Sequence, residues 1–354
     1  MKNISVIIPA YKPDEKLLDT INSILEIGFS DIIVVDDGGG KEFDKIFDEV
    51  SNISECTLLR HAENKGKGAA LKTAMQYFCD NRKNMIGAVT VDADGQHLAK
   101  DIKAVCECMA KKGTIVFGCR DFSGDNVPAR SKFGNKVTIN IVRLFFGLKV
   151  SDTQTGLRAF PRDIIPEMLT VKGERYEYET QMLYYMSKRG IAFNEVKIET
   201  VYLDDNSSSH FRPIRDSIRI YSLVIKYLLS SLAATVVDEL AFLLLKHYEF
   251  FALPFLPDTF TASFIARAIS SIVNYLINAK AVFGDKVNKK TILKYCTLVI
   301  VQVTVSAAAV YAIEHLLSID NAFISTLIKL IVDAILFFFS FRIQHKWVFG
   351  GKDK

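Results

Sequence analysis

Short apolar runs and amphipathic segments alternate along the first part of the chain. Six runs rich in β-branched residues have the length and composition of strands. They cover Ile4 to Pro9, Asp31 to Asp37, Thr57 to His61, Gly87 to Asp94, Gly113 to Arg120 and Glu195 to Tyr202. Between them lie segments with helical periodicity, such as Asp14 to Ile27 and Lys67 to Cys79. This alternation predicts an α/β domain with a mainly parallel sheet that is covered on both faces.

The pattern changes after Arg219, where four long apolar stretches follow one another. They cover Ser222 to Leu245, Phe260 to Phe283, Tyr295 to Ile313 and Ala322 to Phe341. Each has about the 20 residues that a helix needs to cross the hydrocarbon core of a bilayer. Four such helices in succession would leave little protein to cover them in water. The sequence therefore predicts an all-α transmembrane domain of four helices over residues 222–350.

The charges of the loops predict how this domain lies in the membrane. Basic residues concentrate in the loop after the second span and in the tail, at Lys280, Lys286, Lys289, Lys290, Lys294, Arg342, Lys346, Lys352 and Lys354. By the positive-inside rule, the N-terminal domain, this loop and the C-terminus are cytoplasmic. We therefore expect an integral multi-pass protein of the cytoplasmic membrane.

The transmembrane part also contains an internal repeat. NAKAVFG (Asn278 to Gly284) and QHKWVFG (Gln344 to Gly350) are 66 residues apart, at the cytoplasmic ends of the second and fourth spans. The pair Lys-Tyr likewise opens the first and third spans, at residues 226–227 and 294–295. The repeat predicts two related helical hairpins with the same orientation.

Three ionisable residues lie inside the predicted spans, namely Asp238, Arg267 and Asp333. Each is 12 or 13 residues from a lysine at the inner edge, which places all three in one layer, roughly 18 to 20 Å from those lysines. We expect Arg267 to pair with Asp238, Asp333 or both, with Lys329 as a competing partner for Asp333. A static ion pair and a polar path for a lipid headgroup both remain open.

Composition excludes several classes of protein. The 354 residues include 44 Lys+Arg and 40 Asp+Glu, and this net charge of +4 does not indicate a nucleic-acid-binding protein. A hydrophobic content of 49% and a mean hydropathy of +0.18 exclude a disordered chain. The six cysteines show no metal-ligand spacing, so we expect buried thiols in a reducing compartment. The apolar run that Pro9 stops is too short for a signal peptide.

The sharpest polar cluster is VDADGQH, in which a predicted strand delivers Asp92, Asp94 and Gln96 to its carboxyl end. Two carboxylates two residues apart on an extended chain face the same side, and a hard divalent cation on phosphate oxygens takes such ligands. The cluster therefore indicates a metal ion and a diphosphate. An acidic surface turn is the alternative interpretation.

Further motifs follow the other strands. VVDDGGG supplies Asp36 and Asp37, which can reach a ribose or a base, and its glycines permit close approach of the backbone to a ligand. PAYKP follows the first strand, and NKGKGAALKTA opens a helix that contains Lys67. A helix N-terminus with lysines suits phosphate, although a solvated helix start has the same pattern.

Taken together, VIIPAYKP, VVDDGGG, NKGKGAALKTA and VDADGQH resemble the family 2 inverting glycosyltransferases of the GT-A fold. GCRDF, ARSKFGN and SDTQTGLRAF extend the resemblance to the polyprenyl-phosphate branch, which includes dolichyl-phosphate mannose synthase, over about residues 3–215. Residues 222–350 resemble the GtrA-like family through KYLLSSLAATVVDELAF, ARAISSIVNYLINAKAVF and HKWVF. The resemblance implies a GT-A catalytic domain over 1–205, a juxtamembrane interfacial segment over 206–221 and a GtrA-like domain over 222–350.

The resemblance also implies roles for individual residues. The nucleotide pocket would be lined by Pro9, Tyr11, Asp36, Asp37, Lys67 and Asp92. The ligands of Mg²⁺ or Mn²⁺ would be Asp92, Asp94 and Gln96. The lipid phosphate would be bound by Arg120, Arg130, Ser131 and Lys132, with His210 and Arg212 as further candidates. The reaction centre would be formed by Asp94, Arg120, Asp152 and Arg158.

The resulting expectation is an enzyme that transfers one sugar from a UDP- or GDP-sugar to undecaprenyl or dolichyl phosphate, with inversion, on the cytoplasmic membrane face. An acceptor phosphate is already anionic, whereas a neutral lipid acceptor such as diacylglycerol would need a general base. Transfer to such a lipid is one alternative, and a nucleotide-sugar-sensing transporter or scaffold is another. Coupling to translocation of the lipid-linked sugar, the sugar itself, the prenyl chain length and a homo-oligomeric state stay open.

Overall fold

The protein folds into two compact units, which we describe from a computed structural model. The structure describes residues 1–122, 129–199, 213–247, 258–318 and 321–350. The first unit spans Met1–Ile220 and the second Tyr221–Lys354. Residues 206–212 of the predicted juxtamembrane segment lie outside the described ranges.

A seven-stranded sheet with helices on both faces forms the first unit. The strands are β1 (Ile4–Ala10), β2 (Ile32–Asp36), β3 (Cys56–Arg60), β4 (Gly87–Thr90), β5 (Ile115–Arg120), β6 (Arg158–Pro161) and β7 (Phe193–Ile198). The helices are α1 (Lys16–Glu26), α2 (Asp44–Ser51), α3 (Lys67–Asn81), α4 (Ala99–Lys112), α5 (Ala129–Ile141), α6 (Ile165–Leu169), α7 (Glu177–Arg189) and α8 (Pro213–Ile220). The strand order is β3-β2-β1-β4-β6-β5-β7.

The order of the strands brings the polar motifs to one edge of the sheet. Strand β1 pairs in parallel with both β2 and β4, and all of β2 and β4 is buried. Their apolar side chains form the core, so the polar residues that follow each strand emerge together at the carboxyl edge. Ligands of open α/β sheets bind at this edge.

Strand β6 is antiparallel to both of its neighbours, β4 and β5. The sequence pattern does not predict this strand, because its four residues overlap the end of the TGLRAF motif and show no alternating pattern. The strand inserts between β4 and β5 and carries the preceding loop toward the carboxyl end of β4. The sheet is therefore mixed, with four parallel and two antiparallel strand pairs.

The predicted fourth strand, Gly87 to Asp94, is too long. Strand β4 ends at Thr90, and Asp92 and Asp94 lie in the turn that follows, where Gly95 has a φ of 74°. A left-handed residue of this kind reverses the chain, which glycine permits without steric cost. The two carboxylates are therefore brought together by a turn and not by the side alternation of an extended strand.

Four long helices form the second unit, namely α9 (Ser222–His247), α10 (Asp258–Ile277), α11 (Lys289–Leu317) and α12 (Ala322–Ile343). Short π-helical segments extend α10 over Asn278–Val282 and α12 over Gln344–Val348, which are the two repeat motifs. Within the described residues, two helices are long and apolar enough to cross a membrane, over Ser222–Leu245 and Lys289–Leu317. Cys296 lies exposed on α11, contrary to our expectation of a buried thiol, because it is on an outward helix face.

The two hairpins of this unit contact each other through equivalent residues of the repeat. Asn278 Nδ2 donates a hydrogen bond to Gln344 Oε1 at 3.0 Å, and these residues occupy the same repeat position. The rings of Phe283 and Phe349, again equivalent, stack at 4.9 Å. Tyr227 packs on Phe341, and its counterpart Tyr295 packs on Tyr275. The repeat is therefore structural, and the hairpins meet at the end that carries both motifs.

Candidate active site

The carboxyl edge of the sheet collects the predicted nucleotide-binding residues. Pro9 is the partly buried residue near the end of β1, and the half-buried Tyr11 follows that strand. Asp36 is buried at the end of β2, where its Oδ1 accepts a hydrogen bond from the Gly39 amide at 3.1 Å. Arg60 Nη1 lies 3.5 Å from Asp36 Oδ2. Asp36 thus shapes the glycine turn beside the pocket.

Asp37 organises the loop that leads into α3. Asp37 is 2% exposed. Its carboxylate accepts hydrogen bonds from Asn64 Nδ2 and from the amides of Lys65 and Gly66, at 2.8 to 3.0 Å. His61 Nδ1 lies 2.8 Å from Asp37 Oδ1. Because both carboxylate oxygens are engaged by protein groups, Asp37 positions the loop at the helix entrance.

Lys67, the first residue of α3, bridges two carboxylates. Its Nζ lies 2.7 Å from Asp92 Oδ1 and 2.8 Å from Glu179 Oε1, which belongs to α7. Burial alone would lower the pKa of Lys67, but Asp92 and Glu179 together outweigh burial and hold the pKa above its ordinary value. Burial likewise would raise the pKa of Asp92, but Lys67 and His97 hold the pKa low. Both groups are therefore charged.

Asp94 lies beside Asp92 in the turn after β4. Its pKa is raised by burial and then by the charge of Asp92. Two carboxylates this close repel each other, and a divalent cation with oxygen ligands would relieve that repulsion. The described residues contain no cluster of three or more His, Cys, Asp or Glu that could hold a metal by itself. Asp92, Asp94 and Gln96 offer oxygen atoms of the kind that Mg²⁺ takes as ligands alongside phosphate oxygens.

Gly156 and His97 flank the Asp92 carboxylate. A Cβ on Gly156 would lie 2.2 Å from Asp92 Oδ2, so only glycine leaves room for the carboxylate here. His97 Nε2 lies 3.6 Å from the same oxygen, and the imidazole ring is buried. Asp92 is therefore held from three sides, by Lys67, His97 and the backbone at Gly156.

Arg120, at the end of β5, is held by the fully buried carboxylate of Asp152. Arg120 Nε donates to Asp152 Oδ2 at 2.7 Å and Nη2 donates to Oδ1 at 3.2 Å. The Gln154 amide also donates to Asp152 Oδ1, at 3.1 Å. Both carboxylate oxygens are thus engaged by protein donors. Asp152 therefore orients Arg120.

Arg158, the first residue of β6, is 2% exposed and acts within the protein interior. Its guanidinium donates to the backbone oxygens of Thr153, Thr155 and Glu179, at 2.9 to 3.2 Å. The effect of Arg158 on the predicted reaction centre is therefore indirect. Arg158 supports the loop before β6 and the start of α7, which carry Gly156 and Glu179.

We expect Arg158→Met to destabilise the first unit by at least about 3 kcal/mol, because three buried carbonyls lose a donor at about 1 to 3 kcal/mol each. Amide hydrogen exchange in β6 and α7 should accelerate accordingly. Arg143→Met is the control, because Arg143 is exposed and its exchange pattern should not change. Equal protection of β6 in both variants would contradict the role given to Arg158.

An open cavity of about 630 Å³ lies beside Arg120. Its lining residues are Arg120, Asp121, Phe122, Lys132, Phe133, Asn135, Lys136, Ile139 and Ser151. Three cations, an exposed phenylalanine and further apolar side chains share this surface with one carboxylate, Asp121, which is paired with Lys197 at 2.7 Å. Such a cavity suits an anionic headgroup on a hydrocarbon chain. The predicted phosphate-binding residues Arg130 and Ser131 belong to α5 with side chains outside the described set, and His210 and Arg212 lie outside the described ranges.

The sequence pattern does not indicate three of the site residues, namely Glu179, Gly156 and Lys136. Glu179 contacts Lys67 from 112 positions further along the chain, and no local signal links the two. Gly156 belongs to the SDTQTGLRAF motif, but its position against Asp92 depends on strand β6, which the sequence pattern does not predict. Lys136 lines the same cavity as Lys132, and its spacing of one helical turn could have indicated it.

The predicted membrane layer forms two separate pairs. Arg267 Nη2 lies 3.1 Å from Asp238 Oδ2, and Lys329 Nζ lies 2.6 Å from Asp333 Oδ2. Each carboxylate also accepts a hydrogen bond from a serine, Ser270 for Asp238 and Ser306 for Asp333. Of the expected partners of Arg267, Asp238 is therefore the one in direct contact.

Comparison with known proteins gives matches to both units. Residues 5–169 match the model of glycosyl transferase family 2, and residues 226–349 match that of the GtrA/DPMS transmembrane domain. A UDP-N-acetylglucosamine–dolichyl-phosphate N-acetylglucosaminyltransferase of Methanococcus voltae is 30% identical over 225 residues, covering 57% of this chain and 87% of the relative. A dolichyl-phosphate beta-glucosyltransferase of Dictyostelium discoideum is 28% identical over 246 residues, covering 61% and 73%.

A third relative, the polyprenol monophosphomannose synthase of Mycolicibacterium smegmatis, is 23% identical over 201 residues, covering 54% of this chain and 75% of the relative. The relative from Methanococcus voltae is matched over most of its length, which is what membership of one family requires. The chain therefore belongs to glycosyl transferase family 2, with a GT-A-like first unit followed by a GtrA/DPMS transmembrane domain.

Proposed function

We propose that the protein transfers one sugar from a UDP- or GDP-linked donor to a polyprenyl phosphate, such as undecaprenyl or dolichyl phosphate, with inversion at the anomeric carbon. One observation carries the proposal. The loop from Asp152 to Gly156 touches both halves of the site, since Asp152 holds Arg120 and Gly156 backs Asp92. The carboxylate turn and the cationic cavity are therefore built side by side.

The carboxylate turn is the donor side. Asp92, Asp94 and Gln96 would hold Mg²⁺ or Mn²⁺, which when bound neutralises negative charge on the departing nucleoside diphosphate. Lys67 lies against Asp92 and adds a positive charge where the diphosphate would bind. The loop that Asp37 fixes leads into α3, and the N-terminus of a helix favours anionic groups.

The cavity beside Arg120 is the acceptor side. Arg120, Lys132 and Lys136 would hold the lipid phosphate, while Phe133 and Ile139 offer apolar surface to the first part of the prenyl chain. A phosphate oxygen then attacks the anomeric carbon, and the bond to the diphosphate breaks as its electron pair leaves with the nucleotide. This reaction needs no general base, because the acceptor is already ionised. The engagement of Asp152 by Arg120 supports a phosphate acceptor over a neutral alcohol.

The second unit would keep this site close to its lipid acceptor. We place all four helices α9 to α12 across the cytoplasmic membrane, with the repeat motifs and the first unit on the cytoplasmic side. The basic residues between α10 and α11 and at the start of α11, such as Lys286 and Lys289, support this orientation.

The test is transfer by the purified full chain in detergent. We expect polyprenyl phosphate, a panel of UDP- and GDP-sugars and Mg²⁺ or Mn²⁺ to give a product of polyprenyl phosphate plus one sugar, identified by mass spectrometry. Removal of the metal by a chelator should abolish the product, and added metal should restore it. Polyprenol and diacylglycerol serve as matched acceptors without the phosphate.

Glycosylated diacylglycerol or polyprenol would overturn the choice of acceptor. Binding of nucleotide sugar and metal without any transfer, by folded protein, would favour the sensor or transporter alternative instead.

A further inference from the structure

The exposed apolar side chains of the first unit concentrate on two helices. Among the described residues of this unit, the large apolar side chains that are exposed are Ile86, Phe133, Leu144 and Ile218. Phe133 belongs to α5, Leu144 to the π-helical turn Val142–Phe146 that continues α5, and Ile218 to α8. Phe133 is 72% exposed. These helices therefore offer apolar surface that the unit itself leaves uncovered.

One side of α5 and its π-helical turn is exposed along most of its length. The exposed residues between 132 and 146 are Phe133, Lys136, Asn140, Arg143 and Leu144. Their spacings of three and four positions place them on one side of a helix. We call these five residues the α5 face. It combines apolar and basic side chains, as helices that lie on a membrane surface do.

The opposite side of the π-helical turn is packed inside the unit. Val142, Phe145 and Phe146 are buried. The ring of Phe146 lies 5.5 Å from that of Tyr184 in α7, and Ser187 Oγ of α7 donates a hydrogen bond to the backbone oxygen of Phe146. The helix is therefore held in place by its buried side, and the α5 face remains on the surface.

The stretch that contains this face is basic. Residues 129–151 include no Asp or Glu and five basic residues, namely Arg130, Lys132, Lys136, Arg143 and Lys149. Within the part of the chain that the structure describes, the side chains of the last four make no ion pair with a carboxylate. Their positive charges are therefore available to an anionic partner.

The carboxylates that flank this surface are engaged by other groups. Asp121 lies 2.7 Å from Lys197, and Asp152 is buried in the pair described above. Glu195 is exposed and accepts a hydrogen bond from the Ser151 amide at 2.7 Å. Even with Glu195 counted against them, the unpaired cations give the surface around α5 a net positive charge.

The α8 helix connects this region to the membrane-spanning part of the chain. Both α8 and the π-helical turn pack against α7. Helix α9, which we place across the membrane, begins at Ser222, two residues after α8 ends at Ile220. The end of α8 therefore lies at the membrane surface. The cavity beside Arg120 shares Phe133 and Lys136 with the α5 face.

We propose that the α5 face docks on the anionic surface of the cytoplasmic leaflet. Lys136 and Arg143 contact lipid headgroups, and Phe133 and Leu144 insert between them. Basic residues are attracted to anionic lipids within a Debye length, and apolar side chains add buried area at the interface. The inference rests on the proposed function and deepens it, because it places the mouth of the acceptor cavity at the level of the lipid phosphates.

The experiment measures whether this face touches lipid in the full chain. Trp347 is the single tryptophan, so Trp347→Phe gives a background without indole fluorescence. In that background, Leu144→Trp reports on the α5 face from a position outside the cavity lining. Ile86→Trp is the matched control, because Ile86 is 45% exposed against 46% for Leu144 and precedes β4 at the amino edge of the sheet. Both proteins are reconstituted, without sugar donor or acceptor, in vesicles of phosphatidylcholine with about a quarter phosphatidylglycerol.

We expect phosphatidylcholine brominated in its acyl chains to quench the indole at position 144 at least about threefold more than the indole at position 86. Arg143→Gln with Lys149→Gln should lower the ratio of docked to undocked protein about tenfold, because each basic residue near an anionic surface adds attraction. Lys111→Gln with Lys112→Gln removes two exposed lysines from the end of α4 and should leave the quenching unchanged.

Equal and weak quenching at positions 144 and 86 would overturn the docking, and Phe133→Trp repeats the measurement on the same face if Leu144→Trp does not fold. Quenching that neither pure phosphatidylcholine nor the loss of Arg143 and Lys149 reduces would overturn the anionic surface as the partner. A blue-shifted emission that brominated lipid does not quench would assign the face to a protein contact, such as a second copy of the chain, and overturn the proposal.

The failure of this inference is distinguishable from that of the proposed function. Sugar transfer by a chain whose α5 face is not quenched by lipid would refute the docking alone. Quenching of that face in a folded chain that transfers no sugar would refute the proposed function and support the docking.

Discussion

Asp94→Asn is expected to lower the rate of sugar transfer by about 10² to 10³-fold without unfolding the protein. Asp94 is buried beside the charge of Asp92, and in the proposed function both carboxylates hold a divalent cation. Loss of one carboxylate ligand removes several kcal/mol of charge stabilisation, and each 1.36 kcal/mol is a factor of ten in rate. The measurement is the initial rate of lipid product formation at saturating donor and metal.

Asp163→Asn is the matched control, because Asp163 is an exposed carboxylate in the turn before α6. Its rate should equal that of the parent. Partial recovery of the Asp94→Asn rate at high Mn²⁺ would be consistent with a weakened metal site. Full parental activity at low metal concentration would remove Asp94 from the proposed metal ligands.

Gly156→Ala is expected to cost about 10²-fold in transfer rate while the sheet stays intact. The new Cβ would lie 2.2 Å from Asp92 Oδ2 and 2.6 Å from Asp92 Cγ, so the carboxylate must move. Lys67 and His97 hold Asp92 on its other sides, and a displacement of about 1 Å in a catalytic constellation can cost 10²-fold. The rate of transfer and the concentration of metal for half-maximal rate should both change.

Gly134→Ala separates this contact from a general effect of replacing glycine. A Cβ at Gly134 would meet no atom within 4 Å, and the residue lies within a helix, where alanine is favoured by up to about 1 kcal/mol. Transfer should continue at the parental rate in this variant. The role of Gly156 would be refuted by a Gly156→Ala protein with parental rate and parental metal dependence.

Much of the site could be predicted because the carboxyl ends of parallel strands lie at the same edge of a sheet. The motifs with Tyr11, Asp37 and Asp92 each follow a strand, and β1 lies between β2 and β4. The pattern alone could therefore place these residues together. The second unit was equally accessible, since long apolar stretches and a repeat of 66 residues are properties of the sequence itself.

What the sequence could not show were contacts between distant parts of the chain. Glu179 shares Lys67 with Asp92, and nothing near Glu179 indicates this. Arg158 has the sequence context of a reaction-centre residue, but its burial follows from strand β6, whose four residues carry no strand signal. Asp37 is similar, because only the folded loop shows that its carboxylate is occupied by backbone amides.

The stretch from Asp152 to Gly156 has a consequence for how the chain tolerates changes in length. Loops usually accept insertions, because few contacts depend on their spacing. Here Asp152 must reach Arg120 while Gly156, four positions later, lies against Asp92. One added or deleted residue would move at least one of these contacts by about 3 Å or more. We therefore expect this loop to tolerate substitutions but not insertions or deletions, as a core strand does.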